Sequence, residues 1–267
     1  NIYMKTETNE LIATVLIANY NNSQYIDQCL TSVINQNYKK IEIIVVDDNS
    51  SDNSLEILNN YADQIKLIKK KKKTGLGSFD QMSSYYEAFK ESKGEIIFFL
   101  DSDDYFHLDK VSIIMNEFHQ NKKKKILFDL PIKKYTNKEI LFKNKKKLFN
   151  NYWPYFPPTS CIAIRKNDFE YIFKLINYKL FTDIWLDFRI GIVSKYIFNQ
   201  YNLINKNLTF YRQSSNSISS NFVHLSRNWW KRRKQAHHFI QYFFKNNKIK
   251  YKKNLDYFLT NFINYFI

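Results

Sequence analysis

"IEIIVVDDNS", residues 41–50, decides how this chain is read. Its first six residues are nearly all apolar, as a strand buried on both faces requires, and two adjacent acids, Asp47 and Asp48, end the run. Leu55, Leu58, Ala62 and Ile65 then mark a helix capped near Ser51 or Asp52. The same order precedes it. "LIATVLIA" (11–18) reads as a buried strand, and Tyr25/Ile26, Cys29/Leu30 and Val33/Ile34 recur every four residues as one helix face, with Asn22 or Ser23 as N-cap. It also follows. "IKLI" (65–68) is a short strand, Gly75 and Gly77 mark a loop, a helix spans about 80–92, and "EIIFFL" (95–100) is a fourth strand. That strand ends in a second acidic cluster, Asp101, Asp103 and Asp104.

Strands alternating with helices predict a Rossmann-like, mostly parallel sheet with right-handed crossovers, an α/β fold. Ligands of such sheets bind beyond the carboxyl ends of the strands, where all five acids fall. After 108 a helix (Leu108, Val111, Ile114, Met115, Phe118) leads to a strand near 126–132 and a lysine-rich connection. A Pro-rich turn, a short strand and a helix start follow within 152–173. "FTDIWLDFRIGIVSKY" (181–196) reads as a helix, "LINKNLTFYR" (203–212) as a strand, and the chain is helical from 222.

The length of 267 residues suits one large α/β domain, alone or with a small appendage. Cys29 and Cys161 sit in apolar stretches and read as buried free thiols, which fits a reducing compartment. The start, "NIYMKTETNE", is polar and shows no signal peptide; it reads as an added segment ahead of Met4 or as part of a longer chain. No run of 18 apolar residues predicts a spanning helix. The net charge of +16 suggests an anionic partner, although a composition rich in Lys, Asn, Ile, Phe and Tyr also makes the runs at 69–73 and 122–125 ordinary solvated loops. Lysine predominates over arginine and no nucleic-acid-binding module is visible, which argues against nucleic acid as the partner. The five histidines lack metal-ligand spacing.

Acids do not hold phosphate directly. They hold Mg2+ or Mn2+ that bridges phosphate oxygens, with one or two carboxylates and the rest of the shell from phosphate and water. The alternative is plain turn and cap chemistry, in which Asp, Asn and Ser are common. Two such clusters at neighbouring strand ends favour the ligand site.

"VLIANYNNSQYIDQCLTSVINQNYKKIEIIVVDDNSSDNS" and "SKGEIIFFLDSDD" resemble a family 2 glycosyltransferase of the GT-A fold, and weaker similarity runs to about residue 220. The resemblance implies a bacterial, inverting enzyme that moves a sugar from a nucleotide sugar, with UDP expected, to a hydroxyl of a glycan or glycolipid. It implies that Asp47 accepts from the base beside Ala18 and Tyr20, with Asp48 in the same nucleotide site. Asp101 or Asp103 approaches the ribose, and Asp103 and Asp104 bind Mn2+ or Mg2+. Asp183 matches the catalytic base, with Thr182 where the family usually has Glu; Asp187, one turn later, is the rival. Arg212 matches a loop that closes near the diphosphate. The stretch "KKTGLGSFDQMSSYYEAF" holds Gly75, Gly77 and Gln81 but lacks the family's Arg, so Lys73 is the expected cation.

The expected organisation is a nucleotide-sugar half at 1–110, an acceptor half of the same domain at 111–221, and a helical extension at 222–267. The extension resembles nothing named. Its apolar faces, Trp residues and dense Lys/Arg suit an anionic membrane surface, the inner face of a cytoplasmic membrane; the rival expectation is packing on the domain or a homodimer contact. On the first reading the extension is removable without loss of UDP binding. A non-catalytic assembly partner with the same fold is the remaining alternative, against which the acids argue.

Overall fold

The computed structural model describes residues 11–142, 153, 156–213, 220 and 222–267. The chain alternates as read: β1 (Ala13–Asn19), α1 (Ile26–Ile34), β2 (Ile41–Asp47), α2 (Ser54–Asn59), β3 (Lys66–Lys69), α3 (Gly77–Lys90) and β4 (Ile96–Asp101). Then come β5 (Tyr105–Phe106), α4 (Lys110–Gln120), β6 (Ile126–Lys134), β7 (Glu139–Leu141) and a 3-10 turn (Thr159–Cys161). β8 (Ile162–Arg165), α5 (Lys166–Ile176), α6 (Leu186–Tyr196), β9 (Leu203–Arg212), α7 (Arg227–Asn246) and α8 (Leu255–Phe266) complete it. The lysine-rich connection after Phe142 lies outside the described residues.

One sheet orders the strands β3-β2-β1-β4-β8-β6-β9-β5, with β7 paired to β6 off this path. β1 pairs in parallel with β2 and β4, and β2 with β3. β8 runs antiparallel to β4 and β6, and β6 is parallel to β9. The first half is therefore a parallel sheet, and the second a mixed continuation of it.

The apolar runs are continuous because both faces of the sheet are covered. Leu16, Ile44, Val46, Ile97 and Phe99 face one core, with Met82 and Tyr85 of α3 and Phe169 of α5. Their neighbours Val15, Ile17, Ile43, Val45, Phe98 and Leu100 face the other, with Leu30 of α1 and Phe118 of α4. Cys29 and Cys161 are buried free thiols, one on each side of the read motif.

α3 and α7 begin three residues earlier and five later than read, and three further boundaries differ for visible reasons. α2 stops at Asn59, and Ala62 is exposed in a turn that returns the chain to buried Ile65. Asn59, Asn60 and Asp63 are weak helix formers and favour that turn. α6 begins at Leu186 rather than near 181, because residues 176–184 wrap around the buried Arg189 guanidinium. That group donates to the carbonyls of Ile176, Leu180, Phe181 and Ile184 at 2.7–3.2 Å. Asn22 and Ser23 do not cap α1: Tyr25 takes that position with no side-chain cap bond.

The extension packs into the domain, as its rival expectation had it. Ala236, Phe239, Ile240, Phe243 and Phe244 of α7 are fully buried in the same core as Leu16 and Val46. α8 folds back on α7: Asp256 pairs with Arg233 at 2.6 Å and His237 at 3.1 Å, and Asn264 donates to the Trp230 carbonyl at 3.0 Å.

Candidate active site

A cavity of about 570 Å³ opens beyond the carboxyl ends of β1 and β4. Ala18, Tyr20, Asp48, Lys73, Asp101, Asp103 and Arg212 line it, each from a segment singled out above. Trp185, Asp187 and Arg232 close the opposite wall.

Asp47 does not reach the cavity. β2 delivers it, but its side chain turns inward. Its Oδ2 accepts from the Asn19 amide at 2.7 Å and the Ser50 hydroxyl at 2.6 Å, and its Oδ1 from the Ser50 N–H at 2.9 Å. Asn21 and Asn49 adopt left-handed backbone (φ 48° and 62°), which asparagine tolerates best among non-glycine residues. Asn21 then accepts from the Ser51 N–H at 2.7 Å and donates its own N–H to Ser50 Oγ at 2.9 Å. Asp47 thus fastens the β1 turn to the β2 turn, and Asp48 is the member of the pair that faces outward, 2.6 Å from Lys70.

The second cluster divides similarly. Asp101 lines the cavity and accepts from Gln81 at 2.6 Å and Tyr85 at 2.7 Å. Asp103 also lines it. Asp104, read as a metal ligand with Asp103, is buried and does not line the cavity: Oδ2 accepts from Ser160 Oγ at 2.6 Å and Oδ1 from the Arg212 N–H at 2.8 Å. The Arg212 guanidinium donates to the Asp103 carbonyl at 2.6 Å and to Gln28 at 2.7 Å, tying the end of β9 to the acidic turn. Burial pushes Asp103 up to about 7, aided by the Asp101 charge and opposed by Arg212. Burial raises Asp101 as well, against its bonds from Tyr85 and Gln81. Burial thus favours the protonated form of both carboxyl groups on the cavity floor.

Under this floor lies a group the reading missed. Lys110, fully buried, meets Asp129 at 2.8 Å and donates to Thr209 Oγ1 and the Ser160 carbonyl, both at 2.6 Å. It joins α4, β6, β9 and the 3-10 turn beneath Asp104. In a chain so rich in lysine, nothing in the sequence separates this one from the solvated ones.

The two base candidates part company here. Asp183 is absent from the cavity wall. Its carboxylate accepts from Gln235 at 2.6 Å and its carbonyl from Arg232 Nε at 2.8 Å, both on α7. Asp187 lines the cavity from the first turn of α6. Burial pushes it up to about 8, with the Phe188 N–H and Arg232 opposing and the Asp101 charge adding. Arg232 is sandwiched between Trp185, 3.7 Å from the ring centre, and Phe222, 4.0 Å, and it donates to Ser78 Oγ at 3.1 Å. The sequence offered no sign that residues beyond 222 would reach the cavity.

Among the described residues, no group of three or more His, Cys, Asp or Glu is placed to hold a metal ion. No described helix is long and apolar enough to cross a membrane.

Comparison with known proteins gives the family and the fold. The sequence model of "Glycosyl transferase family 2" matches residues 14–185. An uncharacterized glycosyltransferase of Nostoc sp. is 28% identical over 211 residues, covering 74% of this chain and 64% of that protein. The UDP-Glc:alpha-D-GlcNAc-diphosphoundecaprenol beta-1,3-glucosyltransferase WfaP of Escherichia coli is 35% identical over 117 residues, 44% of each. The chain thus spans less than two-thirds of these relatives. Among solved structures, S. aureus TarS 1-349 in complex with UDP-GlcNAc superposes with a TM-score of 0.64 at 18% identity, covering 86% of this chain and 66% of that one. At that identity the likeness speaks for the fold alone.

Proposed function

The chain belongs to glycosyl transferase family 2, and from that premise we propose that it moves a sugar from a UDP-sugar to a hydroxyl of a surface glycan or glycolipid, with inversion. The observation that carries the reading is one cavity on which Asp48, Asp101, Asp103, Arg212 and Asp187 converge from both halves of the GT-A domain. By their names, the Escherichia coli relative acts on a GlcNAc-diphosphoundecaprenol and TarS of Staphylococcus aureus on poly(ribitol-phosphate), which supports the acceptor class.

Each side chain has a task consistent with its place. Ala18 and Tyr20 flank the nucleobase, and Asp48, rather than Asp47, accepts its N–H. Asp101, pre-set by Gln81 and Tyr85, meets the ribose. Lys73 and Arg212 face the diphosphate. Asp103 is the carboxylate that would hold Mn2+ or Mg2+, and Asp104 supports the turn from behind. One or two carboxylates suffice for such an ion when phosphate completes its shell, and Asp101 and Asp103 both line the cavity. When bound, the ion neutralises charge on the departing diphosphate.

Asp187 is the base that the geometry favours over Asp183. It takes the proton of the acceptor hydroxyl, whose oxygen attacks the anomeric carbon as the bond to the diphosphate breaks. Asp183 holds Gln235 and Arg232 in place.

Calorimetric titration with UDP, with and without Mn2+, tests the reading. Parent protein binds more tightly with Mn2+. Asp103→Ala loses the metal-dependent part, and Asp48→Asn loses about 1 to 3 kcal/mol whether or not metal is present, the range for a hydrogen bond to a charged group. A protein that binds no UDP under either condition overturns the proposal.

A further inference from the structure

α8 presents a stripe with no partner among the described residues. Leu255, Phe258, Phe262 and Phe266 are 84, 57, 64 and 69% exposed, with Leu259 exposed between them. Their spacing of three, four and seven places them on one side of the helix, a strip about 17 Å long. The only acid of α8, Asp256, is turned the other way and held by Arg233 and His237. The outward face therefore carries no carboxylate.

Both ends of the stripe are basic. Lys245, Lys248, Lys250 and Lys253 are exposed in the segment leading into α8. At the other end, Asn264 lies against the Trp230 carbonyl, beside exposed Arg227 and Lys231 at the start of α7. A second copy laid on this stripe, parallel or antiparallel, would bring like charges together at each end. A surface that is apolar below and anionic above fits both features at once.

We propose that the outer face of α8, with the lysines of 245–253, docks in the plane of an anionic lipid bilayer. An interfacial helix of this kind buries its apolar side at the acyl boundary while its cations meet lipid headgroups. The sequence placed this role on the whole of 222–267; the structure assigns the α7 face to the core and leaves α8 for the membrane.

Vesicle flotation of the full chain tests this, with phosphatidylcholine alone and with phosphatidylglycerol added. The protein floats with the anionic vesicles at least about tenfold more than with neutral ones, and salt beyond the screening range releases it. Phe258→Ser/Phe262→Ser/Phe266→Ser abolishes flotation, and Lys245→Gln/Lys248→Gln/Lys250→Gln lowers it at least about tenfold. All six positions are partly or largely exposed, so thermal melts match the parent; if the Phe variant fails to fold, the Lys variant carries the test. Absence of flotation, flotation equal on both vesicle types, or a dimer in light scattering that the Phe variant dissolves overturns the proposal.

Discussion

Asp187→Asn keeps the shape of the cavity wall and removes only the capacity to take a proton. A general base contributes roughly 10²- to 10⁴-fold, so turnover is expected to fall at least about a hundredfold with UDP binding unchanged. The structure adds a pH signature. Asp187 is pushed up to about 8, and its reactive form is the ionised one. At pH 7 about a tenth of the enzyme is then ionised, and parent kcat/KM climbs about tenfold from pH 7 to a plateau above 8. Because Arg232 opposes the upward push on Asp187, Arg232→Gln moves the midpoint to higher pH, so at pH 7 the variant is slower than at the plateau by a larger factor than the parent. The residual rate of Asp187→Asn shows no such rise. The assay is release of UDP from a UDP-sugar with acceptor, measured across pH 6 to 9.5, alongside Asp183→Asn. If Asp187→Asn retains both the rate and the pH rise while Asp183→Asn loses them, the base is Asp183 and the cavity argument is refuted.

Lys110→Met strands the Asp129 carboxylate in the interior, and breaking a buried pair costs about 3 to 5 kcal/mol in urea melts. Burial already raises Asp129 while Lys110 pulls it down, so without Lys110 the folded state holds a proton to higher pH than the unfolded chain. The deficit should therefore shrink as pH falls from 8 to 5; a deficit that grows with acid contradicts this. Gly94→Ala places a Cβ 2.5 Å from Thr14 Oγ1 and 2.7 Å from the Ile12 carbonyl, and a loss of about 1 to 3 kcal/mol is expected, against an unchanged melt if the strands can part. Arg189→Leu leaves four carbonyls without their donor, so hydrogen exchange in 177–185 should accelerate and turnover fall; parent-like protection there would show the loop holds itself.

The sheet was legible because buried parallel strands write themselves as unbroken apolar runs, and their acidic ends locate the ligand edge. What was not legible is direction at single residues. Asp47 and Asp48 are adjacent, and only the bonds from Asn19 and Ser50 decide which one turns inward. The same holds for Asp103 and Asp104, where Ser160 and Arg212, far away in sequence, claim the second. Asp183, taken as the base on its match to the family, falls outside the cavity wall because Arg189 gathers 176–184 into a loop and delays the helix to Leu186, which brings its rival Asp187 to the wall instead. Buried cations such as Lys110 and Arg189 leave no mark in a chain with 41 basic residues.

Arg232 and Arg233 are consecutive on α7, yet one stacks on Trp185 in the cavity and the other pairs with Asp256 on α8. A single residue inserted or deleted between them and the buried face at Ala236 and Phe239 would rotate the helix by about 100° and exchange their tasks. The spacing from Arg232 to Phe244 is therefore as fixed as that of any catalytic motif, although it carries no motif of its own. Past Asn247 the register is held by fewer ties, the pairs of Asp256 with Arg233 and His237 and the bond of Asn264 to the Trp230 carbonyl. A change of length is therefore costliest before Asn247, where it would turn Arg232 out of the cavity and Phe239 out of the core.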